Sequence, residues 1–347
     1  MMDSFVYIDN EDRTDPATNL AIEEYVLRHM DPARDYLLLY RNEPSVIVGR
    51  NQNVLEEIND AYVREKNIPV LRRISGGGTV YHDPHNLNFS FITRYEPSRL
   101  HNFKLFNAPV VRILRSLGVP AEMNERNDIL ADGRKISGSA QFSSKGRMVS
   151  HGTLLFSSRL EDIGQVLTVR MKNIRSRSHK SVRSVVANIS DYIDPPMDIK
   201  DFREKLLEGL EREGRLDSRC LLSASDWEQI RELHRTRYMT WQWNIGRSPR
   251  FHITRSRSIN DWNVTMELEV NKGHIRTLSI TNESGNGQNT EADPGFEALC
   301  RMLTGVRYEP GAIRSAIMSW SEAEEGNLLR KAPYSDAVAL LIYGEDG

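Results

Sequence analysis

The chain has 347 residues, 39% of them hydrophobic and 27% charged, with a formal net charge of −2. This length suits one large domain plus a small one, and a near-neutral charge excludes a global field that would draw the molecule onto nucleic acid or an anionic membrane. Two cysteines, Cys220 and Cys300, form no C-x-x-C pair, which excludes a disulfide scaffold and fits a reducing compartment.

The N-terminal stretch MMDSFVYIDNEDRTDP has no apolar signal core, and no run approaches the roughly 20 apolar residues of a membrane span, so a cytoplasmic protein is expected. Residues 5–8 (FVYI) read as a strand, and Thr14-Asp15-Pro16 then supplies a cap and a proline for a helix to about residue 28. Residues 36–40 (YLLLY) and 46–48 read as buried strands. Asn53 can cap a helix running to residue 66, with Leu55, Ile58 and Tyr62 on one face.

Residues 69–74 are extended and run into Ser75-Gly76-Gly77-Gly78, a turn because three glycines hold neither strand nor helix well. Residues 87–91 (LNFSF) alternate as a half-buried strand, and a helix follows over 107–117. Strands are predicted over 128–131 and 149–156, and helices over 201–213 and 225–236. Strands and helices without a strict βαβ beat predict an α+β fold.

After residues 241–249 (WQWNIGRSP) the character changes, with residues 262–270 alternating at period 2, a turn at 271–273, a strand over 274–280 and helices over 295–303 and 311–318. The expected division is 1–248 and 249–347, with a hinge at 246–249 suggested by composition. Residues 284–289 (SGNGQN) read as a flexible loop.

Three segments carry chemistry. In Arg72-Arg73-Ile74-Ser75-Gly76-Gly77-Gly78-Thr79-Val80-Tyr81-His82-Asp83, glycines let backbone N–H groups approach an anion and two arginines can bond phosphate oxygens. The segment is neither a Walker A loop nor a dinucleotide fingerprint, and by itself such a run also serves as a plain tight turn. In the second segment, Arg126-Asn127-Asp128 precedes Lys135, which is flanked by small residues as far as Ser137-Gly138. A fixed ammonium suits the attack of a carboxylate on phosphorus, since both are anionic; a solvent-facing hairpin lysine is the alternative. The third, residues 170–183, holds six Lys and Arg and no acidic residue, and reads as a loop closing on a nucleotide, a docking loop for an acidic protein, or a solvated loop. It lacks the interleaved aromatics of a nucleic-acid patch. Pro84 makes His82-Asp83-Pro84-His85 a turn rather than a zinc site.

Together these residues resemble the lipoate–protein ligase A family, within the biotin/lipoate ligase group. The matching blocks are RRISGGGTVYHD (72–83), RNDILADGRKISGSAQ (126–141), HGTLLF (151–156) and SVRSVVANI (181–189), with weaker similarity from 19–28 into the C-terminal part. The resemblance implies a large catalytic domain with mixed β-sheets flanked by helices, and a small α+β accessory domain. It implies adenylation of lipoate with ATP and Mg²⁺, then transfer of the lipoyl group to a carrier lysine.

The implied carriers are lipoyl domains of 2-oxoacid dehydrogenase acyltransferase subunits and the glycine-cleavage H protein. No nucleic acid or membrane partner is expected, and the expected state is a monomer. By position, Arg73, Gly78, Thr79, Val80, Tyr81, Asp128, Lys135 and Arg183 would meet ATP or the adenylate. Arg72, Ser75, Gly76, Gly77, Tyr40, Lys135, Ser137, Gly138, His151 and Gly152 would meet lipoate. Lys135 would touch both the lipoyl carbonyl and the phosphate, as the catalytic residue, and no metal ligand set is assigned.

Tyr40 departs from the tryptophan common in the family at the wall of the acyl pocket, which bears on acyl length. Tyr40, Val46, Val48 and Leu71 are expected to line an apolar tunnel, and His151, beside Gly152, is expected to support the site rather than act as a base. A transferase that passes the acyl group through a cysteine needs a nucleophilic Cys in the catalytic domain, and no cysteine precedes Cys220. A transferase that accepts only preformed lipoyl-nucleotide is the nearer alternative.

Overall fold

The computed structural model describes residues 4–168, 174–259, 262–284 and 294–321. Arg170, Lys172 and nearly all of the 284–289 loop lie outside these residues. The chain divides into two compact units: residues 1–50, 60–168 and 180–244 make the first, and 51–59, 169–179 and 245–347 the second.

In chain order the first unit contains β1 (Phe5–Asp9), α1 (Pro16–His29), β2 (Asp35–Arg41), β3 (Ser45–Val48), α2 (Asp60–Glu65), β4 (Val70–Arg72), β5 (Val80–His82), β6 (Asn86–Arg94) and α3 (Phe103–Ser116). It continues with β7 (Ala121–Met123), β8 (Ile129–Ala131), β9 (Arg134–Ser137), β10 (Ser139–Ser144), β11 (Arg147–Leu155) and α4 (Leu160–Val166). The second unit contributes β12 (Ile174–Ser176), after which the first resumes with α5 (Ile199–Arg212), β13 (Leu216–Leu221), α6 (Ala224–Leu233) and α7 (Trp241–Asn244). The second unit ends with β14 (Phe251–Ile259), β15 (Trp262–Asn271), β16 (His274–Ser284), α8 (Pro294–Leu303) and α9 (Pro310–Ser321).

The large sheet runs β10-β11-β6-β2-β1-β13 and is mixed: β1 is parallel to β2 and β13, and the remaining pairs are antiparallel. Side chains alternate across it. Phe5, Tyr7, Leu37, Leu39, Phe89 and Phe91 pack one face against α3 and α5, while Val6, Ile8, Tyr36, Leu38 and Tyr40 pack the other against α1 and α6. Coverage on both faces explains why β1 and β2 read as continuous apolar runs rather than as alternating ones.

Two small sheets, β4-β3-β5 and β7-β8-β9, carry the glycine-rich segment and the lysine segment. The second unit is an antiparallel sheet, β12-β14-β15-β16, whose Phe251, Ile253, Met266 and Leu268 pack with Phe296 and Leu299 of α8 and Ile313 of α9.

Three predicted helices differ in extent. Instead of one helix over 53–66, Asn53 caps a single 3₁₀ turn at Val54–Glu56, and α2 begins only at Asp60. The apparent stripe was accidental, since Leu55 packs in the core of the second unit whereas residues from Asp60 onward belong to the first. Helix α3 starts at Phe103, four residues before the predicted start, because Asn102 caps it through Leu105 N–H and Pro109 is accommodated inside. Helix α6 ends at Leu233 and passes into a π-helical turn at His234–Tyr238. Among the described residues no helix is long and apolar enough to cross a membrane.

Candidate functional site

The glycine-rich segment leaves β4 and returns as β5, both paired to β3. The two arginines that open it have separate roles. Arg72 is wholly buried, and its guanidinium donates to the carbonyls of Gly49 (2.9 Å), Arg50 (3.3 Å) and Asn244 (3.1 Å). It is held in the scaffold. Arg73 turns into the loop: Nη2 donates to the carbonyls of Gly76 (2.6 Å) and Gly78 (2.7 Å), Nη1 to Ile47 O (3.1 Å) and Nε to Ser75 Oγ (2.9 Å). One guanidinium therefore gathers the loop's carbonyls inward. Burial lowers the Arg73 pKa to about 10, and Glu23 and Tyr40 oppose that shift.

Gly77 has φ +85°, a conformation that favours glycine, and a Cβ there would crowd Arg73 Nη2 at 3.0 Å. At Gly76 a Cβ would meet nothing within 4 Å, which leaves open space over the loop.

Beneath the loop, His151 on β11 joins Ser75 to Glu23 on α1. His151 Nδ1 bonds Glu23 Oε2 (2.8 Å), and its Nε2 bonds the Ser75 hydroxyl (2.7 Å). Ser90 donates to the same Glu23 oxygen. Burial alone would raise the Glu23 pKa, yet the charge and hydrogen bond of His151, with Ser90 and Arg73, hold it below the ordinary carboxyl value. His151 thus ties the glycine-rich loop to helix α1.

Tyr40 is buried beside this cluster, and burial with the charge of Glu23 pushes its hydroxyl well above the usual phenol value. Val46, Val48 and Leu71 are buried as well. His82 accepts from Asn42 at Nδ1 (2.9 Å), and its Nε2 meets no partner among the described residues. Burial, with Arg73 and His151 nearby, drives the His82 pKa down to about 3, so the ring is neutral. Asp83 is occupied by Ser158 Oγ and by the N–H groups of His85 and Arg159, a loop-fixing role. Val80 is half-buried, and Tyr81 is buried with its pKa pushed up to about 12 by burial and by Asp162 and Asp83.

Lys135 lies on β9, and its ammonium pairs with Asp128 Oδ1 at 2.8 Å. A Cβ on Gly138 would fall 2.9 Å from Lys135 Nζ, so the ammonium can lie over that backbone only because residue 138 is glycine. Gly152 is equally constrained: a Cβ would meet Phe89 Cζ at 2.5 Å and Gly138 O at 2.9 Å. Ser137 is buried, and its hydroxyl has no partner among the described residues. A cavity of 440 Å³ opens beside Lys135 and Asp128, walled also by Asn124, Arg126, Ser184 and Val185.

Residues 180–187 connect the two segments. Ser181 Oγ accepts from Thr79 N–H (2.8 Å), Lys135 N–H donates to Val185 O (2.8 Å), and Ala187 N–H donates to Lys135 O (3.1 Å). Arg183 lies between them, exposed. Within the first unit, residues 180–187 thus bond both to the glycine-rich segment and to the lysine strand. Cys220 lies on edge strand β13, four strands along the sheet from the β11 strand that bears His151.

Glu23, Ser90, Ser181 and the Trp243-Asn244 pair were not foreseen as parts of this site. For Glu23 a signal existed: it falls within Leu20-Ala-Ile-Glu-Glu-Tyr-Val-Leu27, a helix apolar nearly all round, where a glutamate must be buried and partnered.

The mixed sheet with its glycine-rich loop and lysine strand defines a biotin/lipoate ligase-like fold. Residues 15–211 match the family described as lipoyl protein ligase A/B catalytic domain, a span that contains all of the site except Trp243 and Asn244. The chain belongs to that family.

It is 45% identical over 315 residues to lipoate-protein ligase LplJ of Bacillus subtilis, covering 90% of this chain and 93% of that one. A solved bi-partite lipoate protein ligase of an archaeal lipoylation system, from Thermoplasma acidophilum and described with its E2 lipoyl domain, superposes with a TM-score of 0.61 at 27% identity. That match covers 71% of this chain and 97% of the other. A crystal structure of lipoate-protein ligase A bound with ATP gives a TM-score of 0.60 at 28% identity, over 71% of this chain and 99% of the other.

Proposed function

We propose that this site makes lipoyl-adenylate from lipoate and ATP and then passes the lipoyl group to a lysine of a carrier domain. The chain is an enzyme of the ligase class, a lipoate–protein ligase that binds lipoate and ATP. The observation that carries the residue assignment is the segment 180–187, which bonds to Thr79 of the glycine-rich loop and to both main-chain groups of Lys135. A lysine and an anion-binding loop bonded to one short segment suit a reaction between a carboxylate and a phosphate.

In the first step a lipoate carboxylate oxygen attacks the α-phosphorus of ATP, the P–O bond to the β-phosphate breaks, and pyrophosphate leaves. Arg73 and Arg183, with Gly78, Thr79, Val80 and Tyr81, meet the phosphate and nucleotide. Lys135 stands between carboxylate and phosphate and offsets their repulsion. Ser75, Gly76, Gly77, Ser137, Gly138, His151 and Gly152 form the lipoate side, with Tyr40 and Leu71 around the apolar tail; Val46 and Val48, on the opposite face of β3 from Leu71, do not share that wall. Arg72 contributes by holding the start of the loop.

Mg²⁺ keeps phosphate and water oxygens with one or two carboxylates. Of the two carboxylates at the cavity beside Lys135, Asp128 is paired with that lysine, so Glu125 would be the one to hold the ion, which would supply neutralisation of the triphosphate. In the second step the carrier amine attacks the lipoyl carbonyl, loses a proton, and AMP departs. Lys135 stabilises the oxyanion. No enzyme thioester is formed.

Residues 1–248 carry catalysis and 249–347 serve as an accessory domain. The carriers are lipoyl domains of 2-oxoacid dehydrogenase acyltransferase subunits and the glycine-cleavage H protein, met in the cytoplasm by a monomer. The deciding experiment is lipoate-dependent exchange of labelled pyrophosphate into ATP without carrier. Exchange that vanishes in a folded Lys135→Ala variant supports the assignment. No exchange, in protein that transfers from synthetic lipoyl-adenylate, leaves only the transferase.

A further inference from the structure

Strand β4 is an edge strand of its sheet, with β3 on one side only. Arg73 N–H is directed to β3, donating to Val48 O (3.0 Å), so the main-chain groups of Arg72 face the open edge. Two side chains take the place of a neighbouring strand there. Asn244 Oδ1 accepts Arg72 N–H at 3.0 Å, and Trp243 Nε1–H donates to Arg72 O at 2.7 Å. Asn244 O also accepts Arg72 Nε.

These two residues are themselves fixed from behind. Asn244 Nδ2 donates to Tyr238 O (2.7 Å), and the Arg237 guanidinium lies over the Trp243 ring at 4.7 Å. Arg237 and Tyr238 both bond the buried carboxylate of Glu24, at 2.6 and 2.8 Å. The π-helical turn places both side chains toward that carboxylate, and such turns recur at functional sites.

We propose that Asn244 and Trp243 are positioning residues for the adenylation step. By fixing the peptide of Arg72 they set where the next side chain, Arg73, and the loop carbonyls it gathers are held. The proposal rests on the ligase reading, in which Arg73 meets phosphate. Neither Asn244 nor Trp243 touches a reacting atom. A shift of 1 Å in a positioning group can cost about a hundredfold in rate.

The test is lipoate-dependent pyrophosphate exchange in wild type, Trp243→Phe, Asn244→Ala and Asn244→Asp, with thermal midpoints measured alongside. Trp243→Phe keeps an aromatic ring under Arg237 and removes the N–H together with the smaller part of the indole. We expect kcat/KM for ATP to fall about tenfold in Trp243→Phe and Asn244→Ala, with the Phe variant melting within about 3 °C of wild type. Asn244→Asp keeps an acceptor for Arg72 N–H but sets a carboxylate oxygen against Tyr238 O, so it should be as impaired as Asn244→Ala.

Wild-type kinetics in the folded Phe variant, or in a folded Asn244→Ala or Asn244→Asp variant, would overturn the proposal. If Asn244→Ala does not fold, Trp243→Phe decides alone. If wild type itself shows no exchange, the ligase reading has failed. The same variants, assayed by transfer from synthetic lipoyl-adenylate, then judge the brace separately.

Discussion

Glu23 and Glu24, consecutive on helix α1, anchor two points, Ser75 and Arg72, on the arm that leads into the glycines. Glu23 reaches Ser75 through His151, and Glu24 reaches Arg72 through Arg237, Tyr238, Trp243 and Asn244. Adjacent helical residues point about 100° apart, so one helix can reach both points by separate routes. Both glutamates are at most 1% exposed, and each has hydrogen-bond donors within reach.

Replacing Glu23 by Gln keeps the shape and removes the charge that His151, Ser90 and Arg73 stabilise. Folding should weaken by about 1–3 kcal/mol, because a buried donor is left poorly satisfied. Ser75 loses its fixed partner, so KM for lipoate should rise while kcat changes less. Denaturant unfolding together with lipoate titration of the exchange rate checks both. An unchanged KM would remove His151 and Ser75 from the lipoate side.

Glycines 76 and 152 should behave oppositely. Gly152→Ala forces a Cβ to 2.5 Å from Phe89 Cζ in the packed sheet, which should destabilise the fold by about 1–3 kcal/mol and lower the melting midpoint. Gly76→Ala meets no atom within 4 Å and should leave the midpoint unchanged. If the space above Gly76 is where ligand approaches the backbone, this variant loses activity while remaining folded. Calorimetry and exchange assays on both variants separate the two effects.

The ion pair between Lys135 and Asp128 ties the ammonium to one position on the cavity wall. Asp128→Asn keeps a hydrogen-bond acceptor and removes the charge, so exchange should drop about tenfold, less than the loss of about a hundredfold or more expected for Lys135→Ala. A variant as impaired as Lys135→Ala would mean that Asp128 meets substrate or metal itself.

Stability should depend on pH through His82. Its folded pKa is about 3 against an ordinary 6.5, so the unfolded chain binds a proton in that window which the folded chain does not. The contribution is complete above the unfolded value. It is lost as pH falls from there toward 3, with a slope of about 1.4 kcal/mol per pH unit at most. Glu23, held below the ordinary carboxyl value, adds to the loss only at the acid end, as pH falls from the unfolded carboxyl range through its folded pKa. Denaturant midpoints across mildly acid pH, compared with His82→Asn, test this: the variant should show a flatter slope.

The linear order of residues determined a good deal. Asp15 and Pro16 start a helix wherever they precede an apolar pattern, and side chains in 36–40 apolar on every position require burial on both faces of a sheet. Three glycines after an extended run enforce a turn, and Lys135 beside glycine carries its own steric signal. Local geometry settles such features, and local geometry is what a sequence encodes most directly.

Tertiary structure alone decided the division of labour within the Arg72-Arg73 doublet. Successive residues of a strand face opposite ways, and which of them enters the loop depends on whether β3 or the 243–244 pair lies beside it, partners 23 to 172 residues distant in sequence. The same holds for Leu55, whose periodicity matched a helix that its packing in another core overruled. Hydrogen bonds between remote segments leave no periodic trace, so a buried glutamate on α1 and an indole on α7 became parts of the site only once the chain was folded.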